Sequence, residues 1–169
     1  MPVIILETII YHSTPEICFD LSRSIDLHTL STAKTREKAI AGTTTGLINA
    51  GESVTWEATH FYIRQRLTSK ITAFSFPAHF RDEQVKGAFK SIIHDHYFEA
   101  KGEHVIMKDI FYFESPFGIL GRLFNFMVLT NYMKRFLVRR NIVVKAFAES
   151  GKWQDILNIK YKIPDSDIK

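Results

Sequence analysis

The alternation of apolar and polar residues predicts a strand at the start of the chain, followed by two short helices. β-branched and aromatic residues fill Val3–His12, which is typical of a strand. Ser13-Thr14-Pro15-Glu16 follows and is typical of a helix start, with the serine as cap and the proline in the first turn. The first helix is predicted over Pro15–Arg23 and the second over Leu27–Leu30.

From Lys34 onward the pattern changes to the two-residue period of strands. The predicted strands are Lys34–Ala41, Glu52–Ile63, Arg66–Phe76, His79–Val85, Phe89–Ala100 and Glu103–Glu114. Their connections are short, and Lys101-Gly102 is predicted to form the last tight turn because glycine accepts a positive φ angle. Consecutive strands with short connections predict an antiparallel meander.

A long helix is predicted to begin after Ser115-Pro116 and to end near Gly151. Its apolar residues recur at helical spacing: Ile119, Leu123, Phe126, Met133, Leu137, Val144 and Ala148. This layout predicts an α+β fold over residues 1–149, with a curved antiparallel sheet wrapped around the long C-terminal helix and an apolar pocket between them. Residues 150–169 are expected to form a tail, partly docked through Trp153, Ile156 and Leu157 and otherwise disordered.

Composition strengthens the expectation of an apolar pocket. The chain has 169 residues, of which 46% are hydrophobic and 24% charged, and this balance excludes a disordered or collagen-like protein. Aromatic residues are abundant, with 14 Phe, 6 Tyr and 2 Trp. Because large rings fill cores and line cavities, an apolar small molecule is the predicted partner.

The charge of the chain does not predict a nucleic-acid partner. The formal net charge is +4, which is mildly basic. The tightest basic cluster comprises Lys134, Arg135, Arg139 and Arg140, and we interpret it as a solvated helix face. Because no nucleic-acid readout motif accompanies this cluster, charge alone is weak evidence for such binding.

The single cysteine and the apolar segments predict a cytoplasmic protein. Cys18 cannot form an internal disulfide, and we interpret it as an inert apolar filler. The apolar run Val3–Ile10 contains Glu7 and lacks the features of a signal peptide. Arg122 and Asn125 interrupt the apolar segment Phe117–Met133, so no integral membrane segment is predicted.

Strand alternation places polar residues on the inner face of the sheet. With the turn at Lys101-Gly102, His94 is predicted to lie opposite Asp109, and His96 opposite Met107. The inner residues of these two strands would be Ile92, His94, His96, Phe98, Val105, Met107, Asp109, Phe111 and Phe113, and those of the earlier strand Val54, Trp56, Ala58, His60 and Tyr62. A buried polar group without a partner costs about 1–3 kcal/mol, so the inward histidines and Asp109 must bind one another, water or a ligand.

Three collinear groups of residues carry a family resemblance. They are Val54-Thr55-Trp56 with His60-Phe61 and Arg64–Thr72; Phe80–Gly87 with His94–Phe98; and Asp109, Tyr112 and Pro116–Gly121. Together they resemble the uncharacterised bacterial branch of the SRPBCC (START-like, polyketide-cyclase-like) superfamily. The resemblance extends from Pro2 to Glu149 and implies a helix-grip fold with a deep cavity for an apolar small molecule. Gly87-Ala88 departs from the Gly-Pro that is common in the family, at a turn.

These observations predict that the protein binds a lipid-like, aromatic or polyketide-like ligand between the sheet and the long helix. The candidate ligand-binding residues are Trp56, His60, Tyr62, His94, His96, Phe98, Met107, Asp109, Phe111, Phe126 and Met133. In an alternative interpretation, His94 and Asp109 form a catalytic proton-transfer pair of a cyclase or dehydratase. The same pair would also serve as a structural hydrogen bond within the sheet.

Two further hypotheses carry less support from the residues. His94 and His96, with His60 or Asp109, have the residue types of an iron or zinc site, but an i, i+2 spacing arises easily by chance. Neither a metal nor another cofactor is therefore predicted. A protein partner would use the basic helix face or the tail from Trp153. The ligand and the oligomeric state stay open.

Overall fold

The computed structural model describes residues 2–60, 62–116, 118 and 128–157. Its strands are β1 (Val3–Tyr11), β2 (Lys38–Gly42), β3 (Ser53–His60), β4 (Ile63–Ser75), β5 (His79–Lys86), β6 (Ser91–Lys101) and β7 (His104–Glu114). They form one antiparallel sheet in the order β1-β7-β6-β5-β4-β3-β2. The predicted meander is confirmed, and the first strand closes it by pairing with the last.

Two short helices connect the opposite edges of this sheet. They are α1 (Pro15–Ser22) and α2 (Ile25–Ser31), and hydroxyl groups cap both of them. The N–H of Ile17 donates to Thr14 Oγ1 over 3.4 Å at the start of α1. Thr14 and not Ser13 is therefore the cap, because the helix begins at Pro15, as predicted, and Thr14 directly before it is the residue that is still extended.

A long helix, α3 (Thr130–Glu149), packs against β1, α1 and α2, and a last helix, α4 (Trp153–Leu157), packs against α1. Lys145 Nζ on α3 donates to the Ile9 carbonyl over 2.7 Å, which ties the helix to the edge strand. Trp153 and Leu157 are buried in the same apolar cluster as Ile17. The predicted fold class is confirmed: a curved antiparallel sheet grips a long C-terminal helix, with two short helices after the first strand.

Several element boundaries differ from the sequence prediction by up to four residues, and the predicted start of the long helix falls largely outside the described residues. The strand predicted over Lys34–Ala41 begins only at Lys38, because Ala33–Thr35 forms a 3-10 turn and Arg36 has a positive φ of 52°. Ile119, Leu123 and Phe126 of the predicted long helix lie outside the described residues, and the described helix α3 begins at Thr130. No described helix is both long enough and apolar enough to cross a membrane.

The register of the β6–β7 hairpin differs from the prediction by two residues. Lys101 pairs with His104, so the turn lies at Gly102-Glu103, where Gly102 has a φ of 62°. His96 therefore lies opposite Asp109, and His94 lies opposite Phe111. Because side chains alternate with a period of two, this shift changes cross-strand partners but leaves every residue on its predicted face. The whole predicted inner set of these two strands is buried.

Candidate functional site

The described residues enclose a cavity of about 790 Å³ between the sheet and α3. Six of the predicted ligand-binding residues line it: Trp56, His60, His94, His96, Phe111 and Met133. Most of its other lining side chains are apolar, among them Ile71, Phe80, Ile92 and Leu137. The strands contribute alternate residues to this surface, which is why one face of each strand supplies most of the wall.

Phe98, Met107 and Asp109 are buried but do not line the cavity. Phe98 packs its ring 5.5 Å from that of Phe19, a residue of α1. The Ser22 hydroxyl, also on α1, lies 3.5 Å from the sulfur of Met107. The short helix thus covers this end of the inner face, so Phe98 and Met107 belong to the core and not to the cavity wall.

The predicted inward orientation of Tyr62 is wrong. Its side chain is 102% exposed, and its backbone has a positive φ of 64°. His60 pairs with Ile63, so Tyr62 lies in the turn that joins β3 to β4 and the strand alternation ends before it. The remaining predicted ligand-binding residue, Phe126, lies outside the described residues.

Asp109 is the centre of a buried polar cluster behind the cavity wall. His94 Nε2 lies 3.0 Å from its Oδ1, and Asn141 Nδ2 donates to its Oδ2 over 2.6 Å. Arg140 contributes a positive charge 3.6 Å from Oδ1. Burial by itself would raise the pKa of Asp109, but the hydrogen bond from His94 and the close contact with His96 hold it well below its ordinary value. Asp109 is therefore an ionised carboxylate with no exposed surface.

This carboxylate determines which ring nitrogen of His94 carries the proton. Burial, together with the neighbouring His96, lowers the pKa of His94 to about 4, so the imidazole is neutral at pH 7. An ionised carboxylate only accepts hydrogen bonds, so the single N–H of His94 is on Nε2 and donates to Asp109. Its Nδ1 therefore carries a lone pair, and this atom lies 3.9 Å from Oδ2 of Asp82.

Asp82, on β5, completes this part of the wall. Its Oδ2 lies 3.2 Å from Nε2 of His96, whose Nδ1 lies 2.8 Å from Oδ1 of Asp109. The second contact is short but not aligned as a hydrogen bond, which leaves His96 Nδ1 without a hydrogen-bond partner. Asp82, His94 and His96 all line the cavity, and their ligand atoms lie within 4.8 Å of one another.

A second polar group faces the cavity from β3 and α2. His60 Nδ1 lies 2.7 Å from the hydroxyl of Tyr132, and His28 Nε2 lies 3.2 Å from Glu37 Oε2. The ring of His28 also lies 4.2 Å from that of Trp56. Burial raises the pKa of Glu37, but the charge of His28 and its hydrogen bond outweigh this effect and leave that pKa below its ordinary value. These polar side chains therefore form hydrogen bonds with one another within a mostly apolar wall.

Sequence reasoning missed Asp82, Arg140 and Asn141, although each carried a recognisable signal. Asp82 shares the face of β5 with buried Phe80, since the two are separated by one residue. Arg140 was assigned to a solvated helix face, and this assignment is wrong because the residue is 5% exposed. Leu137, Arg140, Asn141 and Val144 have the i, i+3, i+4, i+7 spacing of one helical face, and all four are buried.

Comparisons with solved structures show the fold of the protein. A Thermus thermophilus protein, TTHA0849, matches with a TM-score of 0.66 and 17% identity, over 86% of this chain and 98% of its own. Protein CV1439 of Chromobacterium violaceum matches with a TM-score of 0.64 and 9% identity, over 87% of this chain and 96% of its own. The major latex-like protein 151 of Panax ginseng matches with a TM-score of 0.61 and 18% identity, over 87% and 97%.

No protein-family model matches the sequence, and no curated protein sequence matches it either. The solved structures share nearly their whole length with this chain, so the likeness concerns the entire fold and not a fragment. At these identities the likeness establishes the helix-grip architecture alone. Any assignment of function must therefore come from the cavity and its residues.

Proposed function

We propose that this protein binds an apolar small molecule of lipid-like, aromatic or polyketide-like structure in the cavity between the sheet and α3. The observation that carries the proposal is the cavity itself. Its volume of about 790 Å³ falls in the range of about 300–1,000 Å³ typical of small-molecule sites. We also propose, from the residue resemblance together with the fold, that the chain is a member of the SRPBCC superfamily.

The distribution of polar groups supports a ligand with an apolar body and a polar end. Trp56, Phe111 and Phe136 supply aromatic surface to the wall. Asp82, His94 and His96 form one group of polar side chains in this wall, and a second group includes His60, His28 and Glu37. An apolar wall with a few convergent polar groups suits a molecule that is oriented by one or two polar atoms. Asp109 would act through His94 and His96, because it does not itself line the cavity.

A pair of tryptophan substitutions on β3 tests this proposal. Ala58 is buried and lines the cavity, whereas its neighbour Thr59 is exposed on the opposite face. Ala58→Trp should fill part of the cavity, and Thr59→Trp adds the same side chain outside it. Fluorescence titration with anilinonaphthalene sulfonate, an apolar probe with one anionic group, should show saturable binding to the wild type. We expect Ala58→Trp to weaken this binding at least about tenfold, which corresponds to about 1.4 kcal/mol.

The matched control separates occlusion from instability. Thr59→Trp should bind the probe as the wild type does, and thermal unfolding should show that both variants are folded. Equal affinity of the wild type and of folded Ala58→Trp would contradict binding in this cavity. Native mass spectrometry of freshly purified protein would identify the natural ligand as a discrete added mass that is absent from Ala58→Trp.

A second candidate function is a cyclase or dehydratase that uses His94 and Asp109. The observation in its favour is their 3.0 Å contact, which leaves His94 Nδ1 with a lone pair on the cavity side. We rank it second because a pKa of about 4 makes His94 a weak base at neutral pH. Incubation with a linear polyketone and mass analysis of the product tests it: turnover that His94→Asn abolishes supports an enzyme, and absence of turnover by the wild type contradicts it.

A further inference from the structure

His96 lies between two carboxylates, and one of its buried ring nitrogens has no hydrogen-bond partner. Its two ring nitrogens lie 2.8 Å from Asp109 Oδ1 and 3.2 Å from Asp82 Oδ2. A neutral imidazole has one N–H, whereas ionised carboxylate oxygens only accept. One N–H therefore cannot serve both oxygens, and the buried Nδ1 has no aligned acceptor. A cation held by Asp82 and by Nε2 of His96 would use the lone pair of Nε2 and keep the N–H of the ring on Nδ1, beside Asp109.

A second ring nitrogen, from His94, faces the same oxygen of Asp82. Asp109 determines that the lone pair of His94 is on Nδ1, which faces the same Asp82 oxygen at 3.9 Å. One metal ion would contact all three of these ligand atoms, which lie within 4.8 Å of one another. A second carboxylate, that of Asp109, lies 2.8 Å from the other ring nitrogen of His96 and favours a cation at this position.

We propose that Asp82, His94 and His96 bind one divalent transition-metal ion, zinc or ferrous iron, in the wall of the cavity. Two imidazoles and one carboxylate are a donor set common to catalytic zinc sites and non-haem iron sites. In a tetrahedral site with bonds of about 2.0–2.1 Å, neighbouring ligand atoms are about 3.3 Å apart. The separations of 3.2 Å and 3.9 Å from Asp82 Oδ2 bracket this value, so small side-chain movements would complete the site.

The residues behind the ligands match the supporting shell of a metal site. Histidine ligands generally donate their second N–H to a carboxylate, which holds the tautomer and the ring orientation. Asp109 occupies this position behind His94 and close to His96, and Asn141 holds its other oxygen at 2.6 Å. The three ligands face the cavity, so the remaining coordination positions of the metal would be open to a carbonyl or hydroxyl oxygen of a bound molecule. This inference does not rest on the proposed apolar ligand.

The test uses zinc alone, added to the 169-residue protein after dialysis against a chelator has removed any metal. A competitive titration with a zinc-sensitive dye should show one zinc ion bound per chain. Asp82→Asn removes the carboxylate ligand with little change in shape. We expect it to raise the Kd for zinc at least about tenfold, because loss of a supporting residue alone typically costs 10–100-fold.

Glu83→Gln is the matched control. It removes one carboxylate from the adjacent residue on the same strand, where Glu83 pairs with Arg81 outside the cavity. This variant should bind zinc as the wild type does. Substitution with Co²⁺ adds a readout of coordination: the visible absorption of the wild-type complex should be retained in Glu83→Gln and lost in Asp82→Asn.

Two results would overturn the proposal. One is the absence of stoichiometric zinc binding to the wild type, which would mean that the three side chains serve only as hydrogen-bonding groups of the wall. The other is unchanged zinc affinity in folded Asp82→Asn, which would place the ion at surface histidines. Because Asp82→Asn is nearly isosteric, thermal unfolding in the presence of chelator shows directly whether the variant is folded.

Discussion

Replacing Asp109 by asparagine should strongly destabilise the protein, although the change in shape is minimal. The two carboxylate oxygens accept from different donors, His94 Nε2 on Oδ1 and Asn141 Nδ2 on Oδ2. An asparagine at this position keeps one oxygen and replaces the other by an NH2 donor. If the amide NH2 faces Asn141, two buried N–H groups oppose each other, and if it faces His94, the imidazole must move its proton to Nδ1. In both orientations Arg140 loses the carboxylate that lies 3.6 Å from it.

The expected loss follows from these contacts. A buried donor left without an acceptor costs about 1–3 kcal/mol. Breaking a buried charge pair by removing one partner typically costs about 3–5 kcal/mol, because the remaining charge stays desolvated. Asp109 has no exposed surface and the Arg140 side chain is 6% exposed, so solvent offers little relief. We therefore expect Asp109→Asn to lower the free energy of unfolding by about 3–5 kcal/mol.

Urea unfolding at pH 7 with chelator present measures this change, and the fluorescence of Trp56 and Trp153 reports it. Glu7→Gln is the matched control, since it makes the same chemical change at an exposed residue whose contact is Lys108 at 3.5 Å. The control should stay within about 0.5 kcal/mol of the wild type. A loss below about 1 kcal/mol in Asp109→Asn would refute the conclusion that Asp109 is an ionised, fully bonded centre of the cluster.

Three other measurements test separate parts of the structure. Folding lowers the pKa of Glu37, so the ionised carboxylate stabilises the folded state above the ordinary pKa of 4.5, and this stabilisation is lost as the pH falls below that value. The difference in the free energy of unfolding between the wild type and Glu37→Gln should therefore shrink from pH 7 to pH 3.5. Equal differences at both pH values would contradict this. Burial raises the pKa of the Cys18 thiol to about 12, so a thiol reagent at pH 8 should label it only after denaturation, and rapid labelling of folded protein would contradict its burial. Tyr62→Ala should leave probe binding unchanged because the side chain is exposed, and a weakened affinity would return Tyr62 to the ligand site.

Much of the architecture was predictable because it depends on local pattern. The two-residue period predicted the strands of the meander, and the helical period predicted the long C-terminal helix. Boundaries were less accurate where backbone conformation interrupts the pattern, as at Arg36 with its positive φ. The prediction that Tyr62 points inward failed for the same reason. Side chains alternate only while the chain remains a strand, and His60 is the last residue of β3.

The candidate site was predictable only in part, because it combines residues from three strands and a helix. The alternation of side chains along the two strands of one hairpin predicted that His94, His96 and Asp109 share the inner face. Asp82 belongs to the site because β5 pairs with β6, which places it opposite His94. Asn141 belongs to the site because α3 packs against the sheet, which places its side chain at Asp109. The spacing of residues along one strand or helix predicts neither of these two contacts, because each joins residues from different elements.

The sequence by itself determined which face of each element is buried, because a strand sends alternate side chains to opposite sides and a helix repeats every three or four residues. Only the tertiary structure decided which of the buried residues meet. A two-residue shift in register preserves every face, so alternation could not distinguish His94 from His96 as the residue opposite Asp109. The position of the turn decided that pairing, and the packing of sheet, short helices and long helix decided the size of the cavity in front of it.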